Sequence, residues 1–307
     1  MKILLATDGS DNARAAGDFL TRFAFPAGTE VRLLNVIRDT FLKYEEWEDW
    51  QGQSEEHRTA LQEAEVLLRE EREGLLSTEV ERLGSAGWTC STEVRIGQPA
   101  DEILGAAASL GSNLIVLSSV GASGFREFHL GRVANAVLEY APFSVLLVKP
   151  PGAAEAAAIA GTEREPLRIL VAFDGSPVSR KAVDFCQSLP LDAQTEVHVL
   201  AILRLMRGFR HDIQQRLSDV WHQKKTAAKA ALESVSKDEK WTNPSVTSEL
   251  LESLSVTEAI LDVATQRRSD LIVLGNKGKG SIESFLLGSG TRRITRHAPC
   301  SVLAVRA

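Results

Sequence analysis

The chain has 307 residues, of which 44% are hydrophobic and 25% charged, and its formal net charge is -6. This composition excludes a disordered chain and predicts a folded protein of about two domains. No apolar run approaches the roughly 20 residues that a membrane-spanning helix needs. The acidic balance argues against a general nucleic-acid binder, which needs a basic face. We therefore expect a cytoplasmic protein with no nucleic-acid or membrane partner.

The amino-terminal residues, MKILLATDGS, contain too short an apolar run for a signal peptide and predict a first β-strand instead. The three cysteines are far apart and lack CxxC spacing, so they predict neither a disulfide framework nor a zinc site. They are expected to be small core residues: Cys90, Cys186 and Cys300.

Short apolar runs alternate with stretches of helical period, which predicts βαβ units and an α/β fold with a parallel sheet. Ser10 follows the first strand and is placed to cap a helix, and Ser176 followed by Pro177 gives a stronger start signal in the second half. Charge-rich stretches over 54–85 and 211–236 predict solvated crossover helices. In the first half we predict strands near residues 2–7, 31–37, 91–96, 114–118 and 144–148.

The chain contains one pattern written twice. The segment Ile3–Ser10, ILLATDGS, returns as Ile169–Ser176, ILVAFDGS, at an offset of 166 residues. The segment Leu114–Leu117 returns unchanged as Leu271–Leu274 at an offset of 157, so the second copy is nine residues shorter in its middle. We predict a first domain over 1–149, a linker rich in alanine over 150–166, and a second domain over 167–307.

A glycine-rich stretch, GNKGKGSIESFLLGSGTRR at 275–293, directly follows the apolar run of the second copy. Glycine is costly unless the backbone needs positive φ or something approaches it closely. A helix is expected to begin near Ser289, and helix amino termini offer free N–H groups and a partial positive charge to anions. With Lys277 and Lys279, the stretch suits a phosphate chain. A tight turn and solvated lysines remain the alternative interpretation.

The spacing Gly275-x2-Gly278-x9-Gly288-Ser289, with Asp174 ending the opening strand, resembles the universal stress protein family. The resemblance covers nearly the whole chain, twice. It implies a Rossmann-like, doubly wound five-stranded parallel sheet in each copy, with strand order 3-2-1-4-5. It also implies that the last strands, 144–148 and 301–305, pair with each other. We therefore predict an intramolecular pseudo-dimer and leave open whether chains form a homodimer.

The resemblance further implies ATP binding by the second copy, with Mg²⁺ held mostly by phosphate oxygens and water. Asp174 would face the ribose, although it also suits a turn beside Gly175, and Ala172 and Ile202 would lie beside the adenine. The phosphates would lie among the glycines and lysines of the loop. The candidate binding residues are Ala172, Asp174, Ile202, Gly275, Lys277, Gly278, Lys279, Gly288, Ser289 and Gly290.

The first copy departs from this pattern, because Ser118 replaces Gly275 and Arg132 replaces Ser289 at the offset of 157. Arg132 either fills the phosphate site or pairs with an anion. We expect filling, and therefore weak ATP binding or none. The weaker second site comprises Asp8, Gly121, Gly131 and Arg132.

The second copy lacks the family's glycine-x-proline step, which the first copy has at Gly97 and Pro99. Its residues there are Leu254, Ser255 and Val256, so we expect an altered nucleoside pocket.

The sequence contains no Walker A motif, no Gly-x-Ser-x-Gly elbow and no histidine with an acid at triad spacing. We therefore expect an ATP-binding regulatory or protective stress protein that is at most a weak ATPase, with a protein partner that the sequence does not identify. The alternatives are a nucleotide-free scaffold of the same fold and, third, an enzyme that acts on adenylates.

Overall fold

The computed structural model describes residues 1–26, 28–39, 55–84, 87–121, 130–150, 165–205, 211–242, 244–276 and 287–306. The first copy contains five strands, β1 (Lys2–Ala6), β2 (Glu30–Arg38), β3 (Thr89–Gly97), β4 (Leu114–Ser118) and β5 (Ser144–Val148). Its helices are α1 (Asp11–Leu20), α2 (Glu55–Gly84), α3 (Pro99–Leu110) and α4 (Arg132–Tyr140).

The second copy repeats the same succession of elements. Its strands are β6 (Arg168–Phe173), β7 (Glu196–Arg204), β8 (Ser245–Ser253), β9 (Leu271–Gly275) and β10 (Ser301–Val305). Its helices are α5 (Pro177–Ser188), α6 (His211–Ser236), α7 (Val256–Gln266) and α8 (Ser289–His297). No helix in the described part of the chain is long and apolar enough to cross a membrane.

All ten strands form one mixed sheet in the order β3-β2-β1-β4-β5-β10-β9-β6-β7-β8. This order confirms the predicted 3-2-1-4-5 arrangement in each copy. Strands within a copy are parallel, whereas β5 and β10 are antiparallel, with Leu146 opposite Leu303. The predicted pairing of the last strands is therefore confirmed, and the two five-stranded halves share one sheet. Because the halves run in opposite directions, their strand carboxyl ends lie at opposite edges of that sheet.

Helices cover both faces of the sheet, which explains why the central strands are continuous apolar runs. Successive residues of β1 point to opposite faces: Ile3 and Leu5 join one core cluster, and Leu4 joins another. The cluster under α1, α2, α5 and α6 is continuous through both copies. On the other face, α3 and α4 cover one cluster, and α7 and α8 cover another.

The length difference between the copies has two parts. The offset is 166 residues for β1 and β2, 156 for β3, and 157 for α3 and the elements after it. The second copy is thus shorter by ten residues before β8 and longer by one residue between β8 and α7. That extra residue lies in the step where the second copy lacks the glycine-x-proline pattern.

Candidate functional site

The turn after β6 is built by Asp174 and Ser176. Asp174 Oδ1 accepts a hydrogen bond from the Ser176 backbone N–H at 2.9 Å, and Gly175 has φ +75°. Ser176 Oγ accepts the Ser179 backbone N–H at 3.1 Å and so caps α5. Asp174 is exposed at the carboxyl edge of the strand. It therefore forms the predicted turn, and its role towards a ribose stays a prediction.

Gly275, the first glycine of the motif, is buried against the first turn of α5. A Cβ at this position would lie 2.6 Å from Val178 Cγ1 and 3.2 Å from the Val178 carbonyl oxygen. Thr291 Oγ1, in the first turn of α8, donates a hydrogen bond to the Gly275 carbonyl oxygen at 3.0 Å. Packing between α5 and β9 therefore accounts for glycine here. These contacts also join the Asp174 turn, the end of β9 and the start of α8.

The amino terminus of α8 lies at this same edge. The Gly288 N–H donates to the Asn276 carbonyl oxygen at 2.9 Å, and Gly288 forms the N-cap without a side-chain hydrogen bond. Ser289 and Gly290 are exposed. The first backbone N–H groups of the helix therefore lack a capping side chain, which is the arrangement that suits an anion. Lys277, Gly278 and Lys279 lie outside the described residues.

In the first copy the segment after β4 is described as far as Gly121, which lies close to Asp8. A Cβ on Gly121 would lie 3.0 Å from Asp8 Oδ2, and Asn12 Nδ2 donates to the Gly121 carbonyl oxygen at 3.1 Å. Asp8 Oδ1 also accepts hydrogen bonds from the Ser10 N–H and hydroxyl, at 3.0 and 2.5 Å. The two walls of this crevice, the end of β1 and the segment after β4, are therefore in contact.

The phosphate end of the first copy keeps the backbone geometry of the second. The Gly131 N–H donates to the Ser119 carbonyl oxygen at 2.8 Å and precedes α4 as its N-cap. Arg132 is exposed and makes no ion pair with another described residue. The prediction that Arg132 fills the phosphate site stays a prediction.

A cavity of about 870 Å³ lies between the carboxyl ends of β6 and β7 and the crossover helix α6. Asp174 and Ile202 line it, whereas the other described candidate residues do not. Phe173 and Ala201 form part of its wall on the side of α5 and α6, while Ala172 and Ile202 pack against the core under α7 and α8. Of the predicted nucleoside residues, Asp174 and Ile202 thus lie at its margin, and Ala172 is not part of its lining.

Several residues that build this region were not predicted from the sequence. Val178 and Thr291 carry no motif, and their importance depends on contacts that form only when α5, β9 and α8 come together. The wall formed by α6 left one trace in the sequence, the small residues of KTAAKAALESVS at 225–236 within a charged helix. At the altered step, Ser255 caps α7 by accepting the Glu258 N–H at 3.3 Å.

A sequence model of the universal stress protein family matches residues 1–149 and 167–306. The chain belongs to this family. It is a universal stress protein with two family domains in tandem.

Related universal stress proteins of known sequence cover about half of this chain. The chain is 30% identical to the universal stress protein YxiE of Bacillus subtilis over 148 residues, which are 48% of this chain and 98% of that protein. It is 29% identical to the universal stress protein MJ0531 of Methanocaldococcus jannaschii over 140 residues, or 45% of this chain and 81% of that protein.

Two solved structures match the whole tandem universal stress protein. One, a universal stress protein from Archaeoglobus fulgidus, has a TM-score of 0.59 and 20% identity, and the match covers 99% of this chain and 98% of that one. The other is PA1789 from Pseudomonas aeruginosa, described as functionally unknown, with a TM-score of 0.57, 15% identity and coverage of 99% and 92%. These similarities show the tandem fold.

Proposed function

We propose that this tandem universal stress protein binds ATP through its second copy and acts as a regulatory or protective protein in a stress response. Hydrolysis is expected to be slow or absent. The observation that carries the proposal is the exposed amino terminus of α8, which has no side-chain cap and is joined through Gly275 to the Asp174 turn. An uncapped helix start of this kind favours an anion, and a phosphate group of ATP would supply one.

The residues that would hold the nucleotide supply different parts of its recognition. The N–H groups at Ser289 and Gly290 would meet phosphate oxygens, and the Asp174 carboxylate would accept a ribose hydroxyl. Mg²⁺ would accompany the triphosphate and neutralise part of its charge, held mainly by phosphate oxygens and water. Lys277 and Lys279, which lie outside the described residues, are proposed as further phosphate contacts on the sequence pattern alone.

The first copy is proposed to bind ATP weakly or not at all. Asp8 lies close to Gly121 across the crevice, and Ser118 stands where the second copy has Gly275. This close packing favours a scaffold role without nucleotide for the first copy. Chromatography of nucleotide released from the purified, denatured protein tests the assignment, with one ATP per chain expected and two contradicting it.

Gly290 offers a direct test of the phosphate site. Its position has room for a side chain, because a Cβ there would meet no atom closer than Thr257 Oγ1 at 4.0 Å. We expect ATP with Mg²⁺ to stabilise the native protein by about 2.7 kcal/mol at a hundredfold excess over Kd, and Gly290→Asp to remove this gain by charge repulsion. Thermal unfolding with and without ATP is the measurement.

Gly290→Asn is the matched control, since it has the size of aspartate without the charge. It should keep most of the ATP-dependent stabilisation. If the wild type gains no stability from ATP, the proposed function is wrong. If Gly290→Asp gains as much as the wild type, the nucleotide binds elsewhere.

A further inference from the structure

The cavity beneath α6 has walls that the proposed nucleotide site does not use. Most of the surface is apolar, formed by Phe173, Ala201, Leu203 and Leu250 from the strands and by Trp221 from α6. Its volume of about 870 Å³ is in the range of small-molecule sites, roughly 300–1,000 Å³. It lies mainly on the face of the sheet opposite the proposed adenine contacts.

The first copy shows how this space arises. The burial patterns of α2 and α6 coincide at an offset of 156 residues, with buried Leu76 matching Leu232. At this offset Leu75 corresponds to Ala231, and Leu75 occupies the space that a side chain on Gly9 would need. The second copy has alanine at this position, and both Ala231 and Gly175, the counterpart of Gly9, line the cavity.

Two other positions along the same helix face become apolar, whereas Leu68 corresponds to Lys224 at the margin. Arg72 corresponds to Ala228, and Glu65 corresponds to Trp221. Two charged side chains of the first copy are thus replaced by apolar ones in the second. Trp221 is half-buried and adds a large aromatic surface to the wall.

Charged side chains at the margin of the cavity indicate which charge a ligand there would carry. Arg204 and Lys224 both line the cavity, are exposed, and make no ion pair with another described residue. Asp174 is the one acidic side chain among the lining residues that the structure describes. An apolar interior with two cations and one carboxylate at its margin fits a ligand with an apolar body and a single negative charge.

We propose that this cavity binds an anionic amphiphile, a medium-chain aliphatic carboxylate. The chain lies against Phe173, Trp221 and the alanines of α6, and the carboxylate pairs with Arg204 or Lys224. ATP fits this interior less well, because a triphosphate carries several charges and the walls offer few polar partners. The site does not depend on the proposed nucleotide function, although Asp174 and Ile202 border both.

The test is calorimetric titration of the full chain with dodecanoate below its micellar concentration. We expect one dodecanoate per chain. Ala231→Leu, which copies Leu75 of the first copy, is expected to weaken binding at least tenfold by filling the cavity. Ala230→Leu is the matched control, because Ala230 is on the same helix, exposed and outside the cavity wall, and it should bind as the wild type does.

The head group is tested with the double variant Arg204→Gln, Lys224→Gln and with dodecanol. The double variant should bind dodecanoate at least tenfold more weakly and dodecanol as the wild type does. The proposal is overturned if the wild type binds no dodecanoate, or if Ala230→Leu weakens binding as much as Ala231→Leu. It is also overturned if Ala231→Leu loses the ATP-dependent stabilisation, since the cavity would then hold the nucleotide.

Discussion

At the scale of single residues, Gly275 shows how one glycine of a binding motif serves packing. A Cβ there would come within 2.6 Å of Val178 in α5. In the first copy Asn12 takes the place of Val178 and Ser118 that of Gly275. The copy with the β-branched Val178 on the helix thus has the smaller residue, Gly275, at the strand end. The glycine is required for stability whatever ligand the protein binds.

Gly275→Ala is therefore expected to destabilise the protein in the absence of ligand, by roughly 1–3 kcal/mol as overpacking does. Urea unfolding of the two proteins without nucleotide measures the change. Val178→Ala combined with Gly275→Ala should recover part of the loss, because the clashing methyl group is removed. Equal stability of Gly275→Ala and the wild type would contradict this account.

His198 is a buried histidine on β7 that lies near a hydroxyl group, a carboxylate and an arginine. Its Nδ1 lies 2.8 Å from Thr247 Oγ1, and its Nε2 lies 3.3 Å from Glu249 Oε2, while Arg267 pairs with the same glutamate at 3.5 Å. Burial lowers the pKa of His198 from its ordinary value of 6.5, and the charge of Arg267 lowers it further, with Glu249 opposing both. The folded protein therefore favours the neutral imidazole.

This depressed pKa predicts a pH dependence of stability. As the pH falls, the histidine of the unfolded chain takes up a proton near pH 6.5, whereas folded His198 does so only at lower pH. The stabilisation of the folded protein by the neutral ring is therefore complete above pH 6.5. It is lost as the pH falls towards the folded pKa. His198→Gln should flatten this part of the free energy of unfolding, measured with urea between pH 5 and 8. The exposed His222→Gln is the control, and an unchanged slope in His198→Gln would refute the assignment.

At the scale of elements, the sequence was sufficient for most strands and helix starts. The predicted strands 114–118 and 144–148 coincide with Leu114–Ser118 and Ser144–Val148, because strands buried on both faces are unbroken apolar runs. The start of α8 at Ser289 was predicted from its glycines and also agrees. These boundaries depend on residues close together in the chain, and they can therefore be predicted from the local sequence.

The remaining features depend on contacts between distant elements. Ala231 lines the cavity where the matching helix has Leu75, and this difference matters only when α6 lies over the end of β6. The extra residue between β8 and α7 was hidden as well, because the single offset of 157 absorbed it into a larger deletion. The periodicity of a sequence does not report contacts between elements that are far apart in the chain.

At the scale of the whole molecule, the copies are joined by more than the β5–β10 pairing. One core cluster runs through both copies. Arg292 Nη2 donates to Glu139 Oε1 at 2.7 Å, and Arg306 Nη2 donates to the Leu138 carbonyl oxygen at 2.7 Å. Arg22 and Asp270 form a further ion pair between copies at 3.0 Å. Because of these contacts we expect the tandem to unfold as one cooperative unit.

Thermal unfolding should therefore occur in a single transition, with equal calorimetric and van't Hoff enthalpies. Leu303→Asp should split or broaden it, because Leu303 is 1% exposed opposite Leu146 and an aspartate would bury an unpaired charge at the junction. Scanning calorimetry measures both proteins. Two resolved transitions in the wild type would show that the halves unfold independently.

The antiparallel pairing of β5 and β10 also determines where ligand sites at the strand carboxyl ends lie on the molecule. Since the strands of the two copies end at opposite rims, a small ligand held by one copy cannot touch a ligand held by the other. A macromolecule that recognises one occupied rim leaves the other uncovered. The two rims of the sheet are therefore separate contact surfaces.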